Sequence, residues 1–335
     1  MIHLSICIAT LNRAGYIGHT LRSIMDQLTH AVELVVVDGA STDRTAQVVA
    51  ECFEGRSNCH YHRLPERGGV DRDYCRAVEL AKGEFCWLMT DDDILKPMAV
   101  ETVVKRLRPN LDLLVVNAEV ASADMSKTLI PKRARSKDRV FRSEEQQDLL
   151  AIAGELLSFI GSVIIRRSVW ESRDKQTYYG TEFVHVGVIF QQPLAQETEF
   201  LSAPQIRIRY GNAQWSSRAF DIWMFKWPSL IWSFPHIADE AKRAVVVRHP
   251  YKQLIWLFMM KVQGCFTFHD YQSKLSGRQL SWSTRFGAAL LAAFPEVPFN
   301  ALVSLFIAPL MDPVTRLELE KSPYNFRKRW FDHHQ

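Results

Sequence analysis

The sequence lacks the features that mark exported, disulfide-rich and DNA-binding proteins. Its six cysteines form no CxxC pair and no cluster with metal-ligand spacing, which predicts reduced thiols in a cytoplasmic protein. The N-terminus has neither the basic region nor the long apolar stretch of a signal peptide, so we expect no export. The formal net charge is only +4, too small to indicate a nucleic-acid partner.

The chain also has no long uninterrupted apolar run. The longest stretch, residues 297–311, contains Pro298, Asn300 and Pro309 and falls short of the roughly 18 residues that a membrane-spanning helix needs. We therefore expect no transmembrane helix. With 335 residues and 47% hydrophobic content, the chain can still bury one large core or two modest ones.

Short β-branched runs alternate with helical patterns over the first 120 residues. This order predicts an α/β fold with a mixed, mainly parallel sheet flanked by helices.

After about residue 220, tryptophans and basic residues occur in helical patterns, which fits either a helical subdomain or a surface lying in a membrane interface. We predict two regions, with boundaries at 1–220 and 221–335. The strands are expected in 3–10, 32–39, 84–90 and 111–120, and helices in 16–28, 41–54, 73–82, 94–107 and 181–192.

Polar residues follow each of the first three buried strands. They are Thr10, Asn12 and Arg13 after the first, Asp38 after the second, and Asp91, Asp92 and Asp93 after the third. Any one cluster could be a turn or a helix cap. Because the carboxyl ends of parallel strands meet at one edge of the sheet, their recurrence there predicts a single ligand site.

The three consecutive aspartates need a stabilising partner. Adjacent carboxylates repel each other, and their pKa values rise unless a cation neutralises them. A hard divalent ion such as Mn²⁺ or Mg²⁺ suits this set, because it takes one or two carboxylates and completes its shell with phosphate and water. The alternative, in which Asp92 and Asp93 cap a helix beginning at Ile94, explains one aspartate better than three.

These motifs, taken together, resemble the family 2 glycosyltransferases, which have the GT-A fold. The opening strand CIATLNR matches with Ala9 in place of the usual proline, VVVDGASTDRT matches the nucleotide-binding turn, and GGVDRDYCRAVELAKGEFCWLMTDDDILKP runs into the aspartate motif. Later segments, SFIGSVIIRRSVW, YYGTEFVHV and RYGNAQWS, are similar to the subset that contains the abequosyltransferases of O-antigen synthesis.

The resemblance implies metal-dependent transfer of a sugar from a nucleoside-diphosphate sugar to a hydroxyl of an oligosaccharide. The acceptor would be linked to a polyprenyl diphosphate, as in the synthesis of a bacterial surface polysaccharide. The enzyme would then work in the cytoplasm, peripherally on the inner face of the membrane. The implied roles are a nucleotide pocket at Thr10, Asn12 and Arg13, a contact from Asp38 to the base, further nucleotide or phosphate contacts from Asp71 and Arg72, and ribose and metal binding by Asp91 and Asp93 with Asp92 between them.

The sequence departs from the family where a pair of acidic residues normally supplies the catalytic base. It reads GTEFVHVGV, in which Glu182 and His185 lie three apart and would share a helix face. His185 could be a base, a metal ligand or an acceptor-binding donor, and Glu182 a base or an orienting group. A histidine bonded to a nearby backbone group is the structural alternative. A retaining outcome, with the leaving phosphate assisting deprotonation, stays open.

Two further segments carry cations. In IRIRYGNAQWSSR, Arg209, Asn212 and Trp215 are candidates to close over the diphosphate and the sugar, although the alternation also fits any half-exposed strand. The basic segment 132–142 is either a solvated loop or a contact for phosphate or lipid headgroups.

Two other functions also fit parts of the sequence. A sugar nucleotidyltransferase would need a glycine-rich phosphate loop after the first strand, and ATLNRAGYIG is a poor version of one. A non-catalytic sugar-nucleotide-binding or membrane scaffold protein is supported only by the departure at residues 180–185.

Overall fold

A computed structural model describes residues 2–212, 214, 216–310, 316, 319, 322, 324 and 325. The chain forms two compact units. The first comprises Met1–Tyr210 and Phe234–Val245, and the second comprises Gly211–Ser233 and Val246–Gln335.

The first unit is built around one sheet of ten strands, ordered β3-β2-β1-β4-β9-β6-β10-β5, with β7 beside β6 and β8 beside β10. The pairs β1–β2, β2–β3, β1–β4 and β6–β10 are parallel, whereas β9 runs antiparallel between β4 and β6. The strands are β1 (Leu4–Thr10), β2 (Val32–Asp38), β3 (Cys59–Arg63), β4 (Phe85–Met89), β5 (Ile94–Leu95), β6 (Leu111–Ala121), β7 (Thr128–Ile130), β8 (Arg139–Phe141), β9 (Val163–Arg166) and β10 (Glu197–Arg209).

The helices cover the sheet in the first unit and make up most of the second. They are α1 (Ile17–Met25), α2 (Thr45–Phe53), α3 (Val70–Leu80), α4 (Ala99–Val104), α5 (Gln146–Ala153), α6 (Arg167–Ser172), α7 (Val184–Phe190), α8 (Ala219–Asp221), α9 (Trp227–Trp232), α10 (Asp239–Val245), α11 (Leu254–Val262), α12 (Phe268–Asp270), α13 (Trp282–Ala293) and α14 (Glu296–Leu302). Three π-helical turns, Ile222–Lys226, Tyr271–Leu275 and Val303–Ile307, extend α8, α12 and α14.

The apolar runs become strands that are buried on both faces. β2 and β4 are buried along their whole length, as expected for central strands of a mainly parallel sheet covered by helices. Thr10 and Asp38 are paired in the register of β1 and β2, so the polar residues that follow these strands emerge side by side. The predicted mixed α/β sheet is confirmed, and with it the common edge on which the site prediction depends.

The second unit has its own apolar cores. Phe220, Leu257 and Phe266 belong to one cluster, and Val262, Phe299 and Val303 belong to another. Within the described residues no single helix is long and apolar enough to cross a bilayer. The two segments Trp282–Ala293 and Glu296–Ile307 are together long and apolar enough for a membrane span, but the chain bends by 100° between them.

The units divide at a different place from the predicted boundary at residue 220. The chain leaves the first unit after Tyr210 and returns to it for Phe234–Val245, where α10 packs against α5. Local sequence could not show this return, because it depends on a contact between helices about 90 residues apart. The functions predicted for the two regions stay predictions.

Candidate functional site

The loops after β1 and β2 are bonded to each other at the carboxyl edge of the sheet. The Asn12 backbone N–H donates to Ser41 Oγ (2.8 Å), and the Asn12 side-chain oxygen accepts from the Thr42 backbone N–H (2.8 Å). The Arg13 backbone N–H donates to Thr45 Oγ1 (2.8 Å). Asn12 has a φ of 54°, in the left-handed region where asparagine is enriched. These bonds give Asn12 a bracing role, and its contact with a nucleotide stays a prediction.

Arg13 lies against two of the three consecutive aspartates. Its Nε is 3.3 Å from Asp91 Oδ1, and its Nη2 is 3.0 Å from Asp92 Oδ2. The ring of Tyr16 supports this cation and a second one, since the guanidinium carbons of Arg13 and Arg209 lie 5.6 and 5.4 Å from the ring centre. The chain therefore offsets part of the carboxylate repulsion with its own arginine, in addition to any external ion.

Burial and mutual repulsion still raise the proton affinity of these groups. Burial and the charge of Asp92 raise the pKa of Asp91 to about 7, with Arg13 and the Thr10 hydroxyl opposing the shift. The same two causes raise the pKa of Asp93 well above its usual range. A hard cation at this position would lower these pKa values by favouring the charged carboxylates.

Asp93 joins the ends of two strands. Its Oδ2 accepts from the Thr90 hydroxyl (2.5 Å), and its Oδ1 accepts from the Arg209 backbone N–H (2.7 Å). Because both oxygens already accept hydrogen bonds and the residue is 3% exposed, the geometry weighs against Asp93 as an open metal ligand. That assignment stays a prediction, and the visible role of Asp93 is to hold the end of β10 against the end of β4.

The aspartates do not cap a helix. They are followed by the short strand β5, and α4 begins only at Ala99, after Met98 with a φ of 65°. The helix predicted from residue 94 was therefore placed too early. β5 forms because Ile94 and Leu95 pair with Arg207 and Ile206 of β10.

Arg209 presents one unsatisfied nitrogen. Its Nε donates to the Asp92 carbonyl (3.0 Å) and its Nη1 to the Ala123 carbonyl (2.6 Å). Nη2 is buried and has no hydrogen-bond partner within the part of the chain that the structure describes. A buried unpaired donor on a cation is costly, and an anionic oxygen would satisfy it. Asn212 belongs to the second unit, and Trp215 lies outside the described residues, so the predicted contacts of these two residues stay predictions.

Arg133 is a cation that the sequence prediction did not single out. Burial lowers the pKa of its guanidinium, while the carboxylates of Glu155 and Asp93 raise that pKa. Arg133 therefore lies within electrostatic reach of the aspartate cluster. Its signal was the basic segment 132–142, but nothing in that pattern shows which of the six lysines and arginines interacts with the aspartates.

Two buried carboxylates, one at the end of β2 and one on α3, lie close together. Asp38 is fully buried and accepts from the Ser41 backbone N–H (2.7 Å) and the Tyr61 hydroxyl (2.6 Å). Asp73 lies beside it, and burial together with the charge of Asp38 raises the pKa of Asp73 to about 6. Asp73 Oδ1 is buried without a hydrogen-bond partner among the described residues. Of the two, Asp73 has the oxygen available to accept from a ligand N–H.

Glycines allow this arrangement of Asp73. A Cβ on Gly39 would lie 2.6 Å from Asp73 Oδ2, and a Cβ on Gly68 would lie 2.9 Å from Oδ1. Both distances are too short for a side chain. Gly68 in GGVD and Gly39 in VVVDGA thus make room for the Asp73 carboxylate, a residue that the sequence pattern predicts only as part of a helix.

Asp71 organises the loop before α7. Its Oδ2 accepts from the backbone N–H groups of Gly180 (2.8 Å) and Glu182 (3.0 Å), and its Oδ1 accepts from that of Val184 (3.1 Å). The carboxylate is 5% exposed. Its oxygens are directed at the loop, so the visible role of Asp71 is to hold that loop, and its predicted contact with the nucleotide stays a prediction. The exposed Arg72 lies over the ring of Tyr179, 5.2 Å from its centre.

The two candidates for the base differ sharply in their surroundings. His185 is 1% exposed, its Nε2–H donates to the Leu157 carbonyl (2.8 Å), and burial lowers its pKa to about 4. The structure therefore favours the backbone-bonded alternative for His185 over a catalytic role. Glu182 is half-buried and has a φ of 71°, a strained conformation that often marks a functional position.

No ready-made metal cage is visible. Among the residues that the structure describes, no group of three or more His, Cys, Asp or Glu side chains is arranged to hold an ion. Asp91 and Asp92 nevertheless offer oxygen ligands, and Mg²⁺ and Mn²⁺ sites at phosphates use only one or two carboxylates. The residues present fit such an ion when a ligand supplies the remaining oxygens.

Solved structures share this fold. S. aureus TarS in complex with UDP-GlcNAc matches with a TM-score of 0.57 over 100% of this chain and 93% of that one, at 14% identity. The mannosyltransferase PcManGT from Pyrobaculum calidifontis, in complex with GDP-Man and Mn²⁺, matches with a TM-score of 0.55 over 98% of this chain and 87% of that one, at 16% identity. The sheet is thus of the GT-A type.

Sequence comparisons identify the family. The chain is 27% identical over 226 residues to the abequosyltransferase RfbV of Salmonella typhimurium, covering 62% of this chain and 67% of that protein. It is 24% identical over 183 residues to the putative glycosyltransferase EpsH of Bacillus subtilis, covering 55% of this chain and 52% of that one. The family described as Glycosyl transferase family 2 matches residues 5–172, half of the chain. The protein is a glycosyltransferase and belongs to that family.

Proposed function

We propose that the protein transfers a sugar from a nucleoside-diphosphate sugar to a hydroxyl of an oligosaccharide in the synthesis of a bacterial surface polysaccharide. The cluster of Arg13, Asp91, Asp92, Asp93 and Arg209 at the ends of β1, β4 and β10 carries this proposal. It combines carboxylates with cations at the sheet edge where nucleotide ligands bind. The relative from Salmonella and the nucleotide-sugar complexes of the related folds support it.

Within this proposal, Asp91 and Asp92 hold Mn²⁺ or Mg²⁺ together with the diphosphate. A bound ion would neutralise charge on the leaving diphosphate as the bond to the sugar breaks. Asp93 contributes by fixing Arg209, whose Nη2 supplies a hydrogen bond to a phosphate oxygen. Arg133 adds a second positive charge within electrostatic reach of Asp93.

The nucleoside is recognised at the end of β2. The unpaired Oδ1 of Asp73 accepts an N–H of the base, and Asp38 holds the surrounding turn through Ser41 and Tyr61. A carboxylate oxygen can only accept, so it selects a base that presents a donor.

Glu182 acts as the general base. The acceptor oxygen attacks the anomeric carbon, the acceptor proton passes to the Glu182 carboxylate, and the bond from the anomeric carbon to the phosphate oxygen breaks with its electron pair on the diphosphate. Direct displacement of this kind inverts the anomeric centre. Asp71 positions Glu182 by binding its backbone N–H, which fixes the loop in its strained conformation.

The acceptor is an oligosaccharide on a polyprenyl diphosphate, and the enzyme works on the cytoplasmic face of the membrane. Such an acceptor is held in the bilayer by its lipid, so an enzyme that extends it gains from binding the membrane surface.

The first experiment is calorimetric binding of a panel of nucleoside diphosphates, with and without Mn²⁺. The wild type is expected to bind one of them with Mn²⁺, and Asp91→Asn, which keeps the shape of the side chain, is expected to lose this binding. Asp26→Asn is the matched control, because Asp26 is exposed at the end of α1. Failure of the wild type to bind any nucleoside diphosphate would contradict the proposal, and so would metal-independent binding that Asp91→Asn retains.

A further inference from the structure

Large apolar side chains are exposed mainly in the second unit. Among the described residues, 15 large hydrophobic side chains are exposed, and 12 of them lie between Leu254 and Ile307. Single exposed apolar residues are ordinary, but a dense group of them marks an interaction surface.

Helix α13 buries small side chains and exposes large apolar ones. Its buried face carries the small residues Ala288 (0% exposed) and Ala292 (2%), whereas Trp282, Phe286 and Leu290 are 80%, 60% and 61% exposed. These three residues are spaced by four, so they form one stripe along the helix. Burial of apolar surface should place the large side chains inside. The stripe is therefore suited to a nonpolar environment outside the protein.

Further exposed apolar side chains follow the bend after α13. Leu305 and Phe306 are 56% and 71% exposed on the segment that follows α14. The buried ammonium of Lys261 holds the bend, with Nζ 3.1 Å from Glu296 Oε1 and 3.4 Å from the Ala292 carbonyl. We call Trp282, Phe286, Leu290, Leu305 and Phe306 the apolar surface of the second unit.

Cations accompany this surface. Residues 252–307 contain five lysines and arginines but only two acidic residues. Both acidic residues are paired, Asp270 with Lys274 (2.9 Å) and Glu296 with Lys261. Lys252, Arg278 and Arg285 are exposed, and the Thr284 hydroxyl on α13 donates to the Lys252 carbonyl (3.3 Å). Positive charge thus lies beside the start of the apolar stripe.

We propose that the apolar surface of the second unit docks onto an anionic lipid bilayer, with α13 lying in the headgroup region. Aromatic and aliphatic side chains next to lysines and arginines are the combination that binds such interfaces. A second copy of the chain fits less well, because pairing two identical surfaces would bring their positive charges together. The inference rests on exposure and charge, and it stands apart from the proposed acceptor.

The test is flotation of the full chain with vesicles of phosphatidylcholine, with and without phosphatidylglycerol, and without any sugar acceptor. The wild type is expected to float with the anionic vesicles. Trp282→Gln/Phe286→Gln/Leu290→Gln is expected to lower the partition coefficient at least about 100-fold, because three large side chains leave the interface. Lys252→Gln should lower it about fivefold, which corresponds to one charge near an anionic surface.

Met98→Gln/Val140→Thr is the matched control. It removes two side chains that are 59% and 45% exposed in the first unit, and it should float like the wild type. Unfolding temperatures show whether each variant is folded. If the triple variant does not fold, Leu305→Gln/Phe306→Gln on the second part of the surface replaces it.

Three results would overturn the proposal. The first is a wild type that stays with the soluble fraction in the presence of anionic vesicles. The second is a folded triple variant that floats as well as the wild type. The third is a wild-type dimer that ignores vesicles and that the triple variant converts to monomers, which would assign the surface to a second copy.

Discussion

Three kinds of partner stabilise the consecutive carboxylates, namely a guanidinium, a hydroxyl and a backbone N–H. Asp91 and Asp92 share the guanidinium of Arg13, and Asp93 accepts hydrogen bonds from Thr90 and Arg209. Each partner removes part of the cost of burying charge. Asp91 nevertheless keeps a pKa raised to about 7 by burial and by Asp92, so the compensation is incomplete and leaves room for a further cation.

Glu182→Gln tests the assignment of the base. We expect kcat to fall by about 10² to 10⁴-fold, with little change in KM for the donor, because the amide cannot accept the acceptor proton. His185→Gln is the matched comparison, since glutamine keeps a donor towards the Leu157 carbonyl. Steady-state kinetics on both variants decide between the candidates: unchanged kcat in Glu182→Gln, or a large loss confined to His185→Gln, would reverse the assignment.

Arg133→Gln tests the cation of the basic segment that interacts with Asp93. Removing a charge that interacts with the leaving diphosphate should lower kcat/KM for the donor by about 10 to 100-fold, a loss typical of one charged hydrogen bond. Arg135→Gln changes an exposed neighbour two residues away and should have no effect. Equal losses in the two variants would indicate a general effect of surface charge.

At the level of elements, α7 is held by contacts at its start and within its first turn. All seven of its residues are buried, Asp71 binds the backbone N–H groups before and at its first residue, and His185 donates to the Leu157 carbonyl. The helix is too short to be stable alone. Its position therefore depends on tertiary contacts, and with it the position of Glu182.

The buried His185 gives α7 a dependence on pH. Its pKa is lowered to about 4 from an ordinary value near 6.5, so the unfolded chain binds a proton there that the folded chain does not. Stability from this residue is present above about pH 6.5 and is lost as the pH falls from 6.5 towards 4, by about 3 kcal/mol in total.

Urea unfolding between pH 4 and pH 7.5 measures this contribution. The free energy of unfolding of the wild type should fall more steeply below pH 6.5 than that of His185→Gln, which cannot titrate at this position. Parallel curves for the two proteins would mean that His185 is accessible to protons in the folded state.

The short antiparallel strands show what local patterns miss. β1, β2, β4 and β6 are long enough for a buried apolar run to predict them within about a residue. β5 has two residues and exists only because β10, over 100 positions later, supplies its partner. The sequence pattern there favoured a helix from residue 94, since nothing nearby shows that another strand will pair with Ile94 and Leu95.

On the scale of the whole molecule, the two units bury apolar residues differently. The central strands of the first unit are buried on both faces, whereas α13 in the second unit exposes its largest apolar side chains. Hydropathy predicted amphipathic helices in this region but not which face is outward, because Ala288 and Ala292 are apolar as well. Packing decided that the alanines face the core.

The mixed sheet, the edge where its polar residues meet, and the family could all be predicted from the sequence, since they depend on local periodicity and on motifs within residues 5–172. The contacts of the candidate residues at that edge depend on the tertiary structure. Asp71 reaches a loop 109 positions away and Asp93 a strand end 116 positions away. These bonds show that both aspartates position distant segments, while their predicted ligand contacts stay predictions. Such pairings follow from the packing of distant elements, which no local pattern specifies.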